Sequence, residues 1–298
     1  MRRIILAASG AVVLAALPID HPAGAQGDPA VAPSPYTASP MDGGSADPDD
    51  SSAWRFDGAF YAWLPGVFGR IEAHGRSAPI DLTVGDMIDL LFNQWRALDA
   101  GAHFEAHYDR FDLLVDAIGG YVKPSTSATV ERLGQTVRFD ARATIHFVLA
   151  EFGLGYRVGE WSIAGRRRPM SLGLLAGARY YHIGNDITAT RAGPISEREL
   201  SAESVLNWAD PFIGVRWEIP VLDSLAWDFR SDIGGFGAGS DLSYSLVSSF
   251  RWWLPTSWRT QPWLGLGYKL VAFDYEISGE SAINTQMRGP WLGAGIDF

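Results

Sequence analysis

Three groups of residues in this 298-residue chain have types and spacing suited to chemistry. His103, Glu105 and His107 occupy every second position. On an extended strand that puts two imidazoles and a carboxylate on one face, roughly 7 Å apart. A metal could take two of them together with Asp99 or Asp116, since imidazole and carboxylate are common ligands. Interleaved charges on a polar strand face give the same pattern without a metal, and no metal is expected. Ser243, Ser245 and Ser249 place hydroxyls along one segment. A hydrolase needs such a hydroxyl aligned with a particular His and an acid, and no nucleophile-elbow pattern accompanies these. Gly234-Gly235-Phe236-Gly237-Ala238-Gly239 has the glycine density of a phosphate-binding loop, but no helix and no Lys follow, so it reads as a strand end or hairpin. With no Cys in the chain, thiolate catalysis, thiolate metal sites and disulfides are removed together. These residues lead us to expect a protein that is not an enzyme and carries no soluble cofactor.

The elements that hold these residues alternate with period two. Leu98, Ala100, Ala102, Phe104, Ala106 and Tyr108 fall on one side of a strand, and Asp99, Gly101, His103, Glu105 and His107 on the other. That is a strand with one apolar and one polar face. Past Trp54 no apolar run reaches the roughly 20 residues of a spanning helix. Segments of this alternating kind, separated by turn residues, suit a transmembrane barrel, where the apolar face meets lipid and the polar face lines the lumen. The neutral mean hydropathy agrees, since only alternate residues face lipid. Aromatics near strand ends, as in Trp252, Trp253, Trp258 and Trp263, suit an interfacial girdle. The 24 basic residues against 34 acidic ones argue against nucleic acid, which needs a basic face.

Met1-Arg2-Arg3, the apolar stretch Ile4 to Leu17 and the small-x-small site Ala23-Gly24-Ala25 have the three-part layout of a secretory signal peptide. Residues 1–25 are therefore expected to be cleaved, and the Pro-, Ala-, Ser- and Asp-rich segment 26–53 to be a disordered periplasmic lead-in. Residues 54–298 then form one all-β domain, a closed antiparallel transmembrane β-barrel in the outer membrane. Strands are expected near 54–64, 95–108, 111–123, 137–158, 169–187, 203–219, 225–236, 242–254, 262–277 and 288–298. That is ten, with eight or twelve as alternatives; an even number returns both termini to the periplasm. An extra hairpin over 71–83 would raise the count to twelve, and Val84 to Leu91 has helical spacing. Connections alternate between short (Asp109-Arg110, Leu222 to Ser224) and long (66–94, 187–202), as periplasmic turns and outer loops do. Phe298 closes an amphipathic strand in which Leu292, Ala294 and Ile296 oppose Gly293, Gly295 and Asp297. It reads as an assembly signal, with outer-membrane lipid and the barrel-assembly machinery as partners.

Four stretches look familiar as a set: Tyr61-Ala62-Trp63-Leu64-Pro65-Gly66, Trp208-Ala209-Asp210-Pro211-Phe212-Ile213-Gly214, Asp232 to Asp241, and Gly289-Pro290-Trp291-Leu292-Gly293. They resemble a family of proteobacterial outer-membrane β-barrel proteins, of the small porin-like, OmpA-type superfamily. The resemblance implies a barrel in the outer membrane. It implies no activity and carries over no catalytic residue.

With apolar faces outward, the lumen is expected to hold Arg55, Asp57, Asp99, His103, Glu105, His107, Asp112 and Asp116 from the first three strands. Arg138, Asp140, Arg142 and His146 follow, then a one-residue slip near Val148 to Ala150, where a bulge is expected. The remaining strands add Arg179, Asp210, Arg216, Glu218, Asp228, Arg230, Asp232, Arg251, Lys269 and Asp297. About eight strands enclose only side chains and sixteen leave a channel, so ten lie near the narrow end. Opposite charges in so narrow a space should pair. The expected function is a narrow pore for small solutes or ions. The alternatives are a sealed structural or interaction barrel working through the loops near 66–94 and 187–202, and a membrane-embedded hydrolase resting on His103 and His107.

Overall fold

The computed structural model describes residues 54–298 apart from 74–75, 94–96, 133–134, 193–196, 257–259 and 279–280. The expected signal peptide, the lead-in and Trp258 lie outside the described residues. In chain order the elements are β1 (Arg55–Trp63), β2 (Gly66–Ala73), β3 (Arg76–Leu82), the short helix α1 (Val84–Ile88) with a π-helical turn (Asp89–Asn93), β4 (Ala97–Tyr108) and β5 (Phe111–Val122). Then come β6 (Ser125–Arg132), β7 (Gln135–Trp161), β8 (Met170–Ala192), β9 (Glu197–Leu222), β10 (Leu225–Gly235), β11 (Leu242–Trp253), β12 (Gln261–Ser278) and β13 (Ser281–Asp297).

Ten strands close the barrel in the order β1-β4-β5-β7-β8-β9-β10-β11-β12-β13, and β13 pairs back onto β1 with Asp57 opposite Asp297 and Trp63 opposite Trp291. All ladders are antiparallel. The remaining strands lengthen the wall without adding to the ring. β2 continues β1 past the Leu64-Pro65 break and stays on β13, while β6 continues β5 past Lys123-Pro124 and stays on β7. Proline has no N–H for the ladder, so each break falls where pairing must lapse. The hairpin over 71–83 therefore exists as β2–β3, yet the ring count stays at ten. The helical spacing after it is α1, whose N-cap Thr83 and Asp86 exchange side-chain to backbone hydrogen bonds at 3.2 and 2.9 Å.

β7, β8 and β9 run for 27, 23 and 26 residues, where a tilted membrane strand needs only about 9–11. The surplus stands beyond the bilayer at the end opposite the termini. The segment 187–202, expected as a loop, is mostly the paired tips of β8 and β9. The ladder of β7 also corrects the expected slip. Pairing is continuous from Ile145 to Tyr156, and the irregularity falls between Arg157 and Gly159. Asp140, Arg142 and His146 thus share the outward face of Phe152 and Leu154. They sit above the lipid, where a polar outer face carries no penalty and no slip is needed. Arg138, paired with Ala192 and Thr129, belongs to the same extension.

Phe60, Leu98, Phe152, Leu154, Leu174, Ile213, Leu266 and Leu292 are exposed on the wall, whereas Asp57, Glu105, Asp116, Glu151, Arg179, Asp210, Asp232 and Lys269 are buried inside. A wall apolar outside and charged within is stable only in lipid. The protein is an outer-membrane β-barrel.

Candidate functional site

The lumen has two unlike halves. Toward the termini, strand alternation turns charged residues inward and they pair across the barrel. Glu105 on β4 receives Arg216 of β9 at 2.5 Å and contacts His103 at 2.9 Å and His107 at 3.4 Å. His103 also reaches Asp116 at 3.0 Å, and His107 reaches Asp112 at 2.6 Å. Asp116 in turn accepts hydrogen bonds from the Tyr61 hydroxyl at 2.7 Å and from Lys269 Nζ at 3.2 Å. A second centre joins Arg179, Glu151, Arg230 and Asp232. Arg179 donates to Glu151 at 2.8 Å and to Asp232 at 2.7 Å, while Arg230 donates to Glu151 at 2.7 Å and Asp232 at 3.3 Å. Nearer the rim, Arg251 faces Asp57 at 3.6 Å and Asp228 at 3.3 Å.

Most of the residues expected in the lumen are therefore brought together, with some exceptions. Arg55 has the inward parity but is exposed at the rim, and Asp99 accepts a hydrogen bond from the Trp63 backbone N–H at 3.2 Å and joins no ion pair among the described residues. Asp210 is buried beside Arg179 in register, yet its Oδ1 accepts the Ser240 N–H at 2.7 Å. Arg138, Asp140 and Arg142 stand on the outer extension instead of in the lumen. The sequence list omitted Glu151, which anchors two arginines. Unbroken alternation with Gly153 and Gly155 on β7 would have found it, had no slip been assumed. Both ring nitrogens of His103 and of His107 meet carboxylates, and among the described residues no three His, Asp or Glu side chains are grouped to hold a metal.

The other half of the lumen is aromatic and apolar. Trp63, Ile118, Leu149, Tyr181, Trp208, Val271, Phe273 and Met287 form one buried cluster inside the wall. Tyr181 stacks on Trp208 at 4.6 Å, Trp208 stacks on Tyr275 at 4.2 Å, and Phe273 meets Tyr181 and Trp208 edge-on at 5.1 Å each. Both arrangements are favourable for ring quadrupoles. The four stretches that carry the sequence resemblance meet here in pairs. Trp208 Nε1 donates to Ser240 Oγ at 2.9 Å, so the β9 stretch holds the turn after β10. That turn takes left-handed φ of 87°, 52° and 75° at Gly235, Phe236 and Gly237, and a Cβ on Gly239 would stand 2.6 Å from Asp210 Oδ1. On the other side, Trp63 Nε1 donates to the Gly289 carbonyl at 3.2 Å and Leu64 N–H to the Pro290 carbonyl at 3.0 Å. The glycine-rich run is thus a pinned turn over the lumen.

Two tryptophans expected in an interfacial girdle also turn inward. Trp253 and Trp263 are buried, and their indole N–H groups donate to Asp297 and Asp57 at 2.7 Å each; Trp252 remains exposed outside. Between the aromatic half and these rim tryptophans lies a cavity of about 110 Å³.

No family profile matches the sequence, and no curated protein matches it. Solved structures do resemble the barrel. OmpT, the outer membrane protease of Escherichia coli, is 10% identical over 82% of this chain and 97% of its own, with a TM-score of 0.41. Ail, the attachment invasion locus protein of Yersinia pestis, is 10% identical over 82% and 99%, with a TM-score of 0.29. The translocator domain of the autotransporter NalP from Neisseria meningitidis is 10% identical over 83% and 89%, with a TM-score of 0.32. Likenesses of this size concern the barrel alone. They nonetheless correct one expectation: solved barrels resembling this one include a protease, so a barrel architecture does not exclude enzymes, and the exclusion drawn from the sequence is withdrawn.

Proposed function

We propose that this protein is a sealed outer-membrane barrel that works through the strand extension on the outer side of the cell, rather than an open pore. The stacked cluster of Tyr181, Trp208, Phe273 and Trp63 carries this reading, because it fills the outer half of the lumen with interlocked rings. The long β7, β8 and β9 tips and the β2–β3 hairpin supply the outward surface. A swelling assay on proteoliposomes holding the folded barrel tests the seal. Glycine and small sugars should enter no faster than into empty vesicles, and swelling that scales with protein content would refute it.

A further inference from the structure

The cavity below the aromatic half is walled chiefly by hydrocarbon, and the glycines of the sequence account for its shape. Gly265 and Gly293 face each other in the β12–β13 ladder at inward positions, and Gly101 alternates with His103 on the inward face of β4. Aromatic rings rest where these residues leave room. A Cβ on Gly101 would stand 2.5 Å from Tyr61 Cζ, and one on Gly265 would stand 2.8 Å from Trp291 Cη2 and 2.9 Å from Trp263 Cζ3. The three rings line the cavity together with Ala59, Leu114 and Val247.

The polar ends of these rings are turned away from the space. The Tyr61 hydroxyl donates to Asp116 and Trp263 Nε1 to Asp57, each at 2.7 Å, while Trp291 Nε1 is buried against Gly267. The charged side chains of the lining, His103 included, are all engaged in ion pairs across the barrel. A charged ligand would find no free counter-charge and would have to disrupt a buried pair, which is costly. A neutral apolar molecule disrupts none and gains by leaving water. The volume of about 110 Å³ is near that of the roughly 150 Å³ apolar cavities that stay dry and take up benzene, which is room for one small ring.

We propose that this chamber binds one small neutral aromatic molecule of single-ring size, held by ring contacts with Tyr61, Trp263 and Trp291. The test is methyl NMR on the folded barrel in micelles, with toluene, cyclohexane, benzoate and benzylammonium as probes, each compared at its concentration in the micelle. Toluene should shift the Leu114 and Val247 methyls saturably, whereas Leu174, on the lipid side, should move only in proportion to the toluene added. Cyclohexane should bind several-fold more weakly because it forgoes ring contacts, and the two ions should give no saturable shift. Gly265→Ala pushes the Trp263 and Trp291 rings into the chamber and Val247→Phe fills it directly. Each should weaken toluene by about tenfold or more, since a ring that no longer fits stays unburied, with folding checked by heat-shifted gel mobility. Val247→Phe, read at Leu114, carries the test if Gly265→Ala fails to fold. Absence of a saturable shift at Leu114 and Val247, meaning a chamber of water only, overturns the proposal. So does cyclohexane or either ion matching toluene, or a folded filling variant with unaltered affinity.

Discussion

The two halves of the lumen solve the same packing problem with opposite chemistry. The half near the termini is filled by charges, and Glu105, Asp116, Glu151 and Asp57 there each depend on a base contributed by another strand. The outer half is filled by stacked rings held mainly by shape, with the Trp208 and Trp63 indoles also donating to Ser240 and to the Gly289 carbonyl. Removing one member of the charged half strands its neighbours without compensation, whereas removing a ring leaves a void. The difference teaches where strand order is enforced: Arg179 bridges strands β7 and β10 from its own place on β8, while the aromatic cluster mainly closes space.

Breaking the charged half and opening the aromatic half should have the two largest effects. Arg179→Met would leave Glu151 and Asp232 buried and facing each other's charge, and should cost on the order of 3–5 kcal/mol in a urea titration of the folded barrel. Trp208→Ala should cost roughly 3–5 kcal/mol through its cavity, with the added loss of the Ser240 contact loosening the turn after β10, visible as faster proteolysis there. A wall substitution sharpens the comparison from outside. Leu174, half-exposed on the lipid side, should cost about 2–4 kcal/mol as Leu174→Arg if it sits near the midplane. The smallest effect belongs to an ion pair outside both halves. Arg70 and Glu72 stand 3.6 Å apart and largely exposed, so Arg70→Ala should shift stability by less than about 0.5 kcal/mol. Equal costs for Arg179→Met and Arg70→Ala would dissolve the distinction between buried network and solvated pair.

Much of this architecture was legible in period-two alternation. The ten ring strands, the two-residue turn at Asp109-Arg110 and the faces of β4 and β13 followed from it, because lipid on one side and lumen on the other leave each position a single choice. Legibility failed where that constraint ends. Beyond the bilayer the outer face of β7 turns polar at Arg142 and His146, and a change of environment was mistaken for a change of register. It failed again inside the lumen. An inward Trp63 or Trp208 and an outward aromatic look alike in sequence, and only their places in the ladder separate plug from girdle. The pairing of Arg216 with Glu105 across the barrel depends on curvature that no local pattern encodes.

The most direct test of the two-part lumen is conductance in planar bilayers, comparing the native barrel with Trp208→Ala/Phe273→Ala and with Glu151→Gln/Arg230→Gln. The native barrel and the charge-pair variant should stay silent, since the aromatic half remains whole in both, while the ring-deletion variant should show discrete steps. Steps from the native barrel, or from the charge-pair variant alone, would contradict the assignment of the seal to the aromatic half.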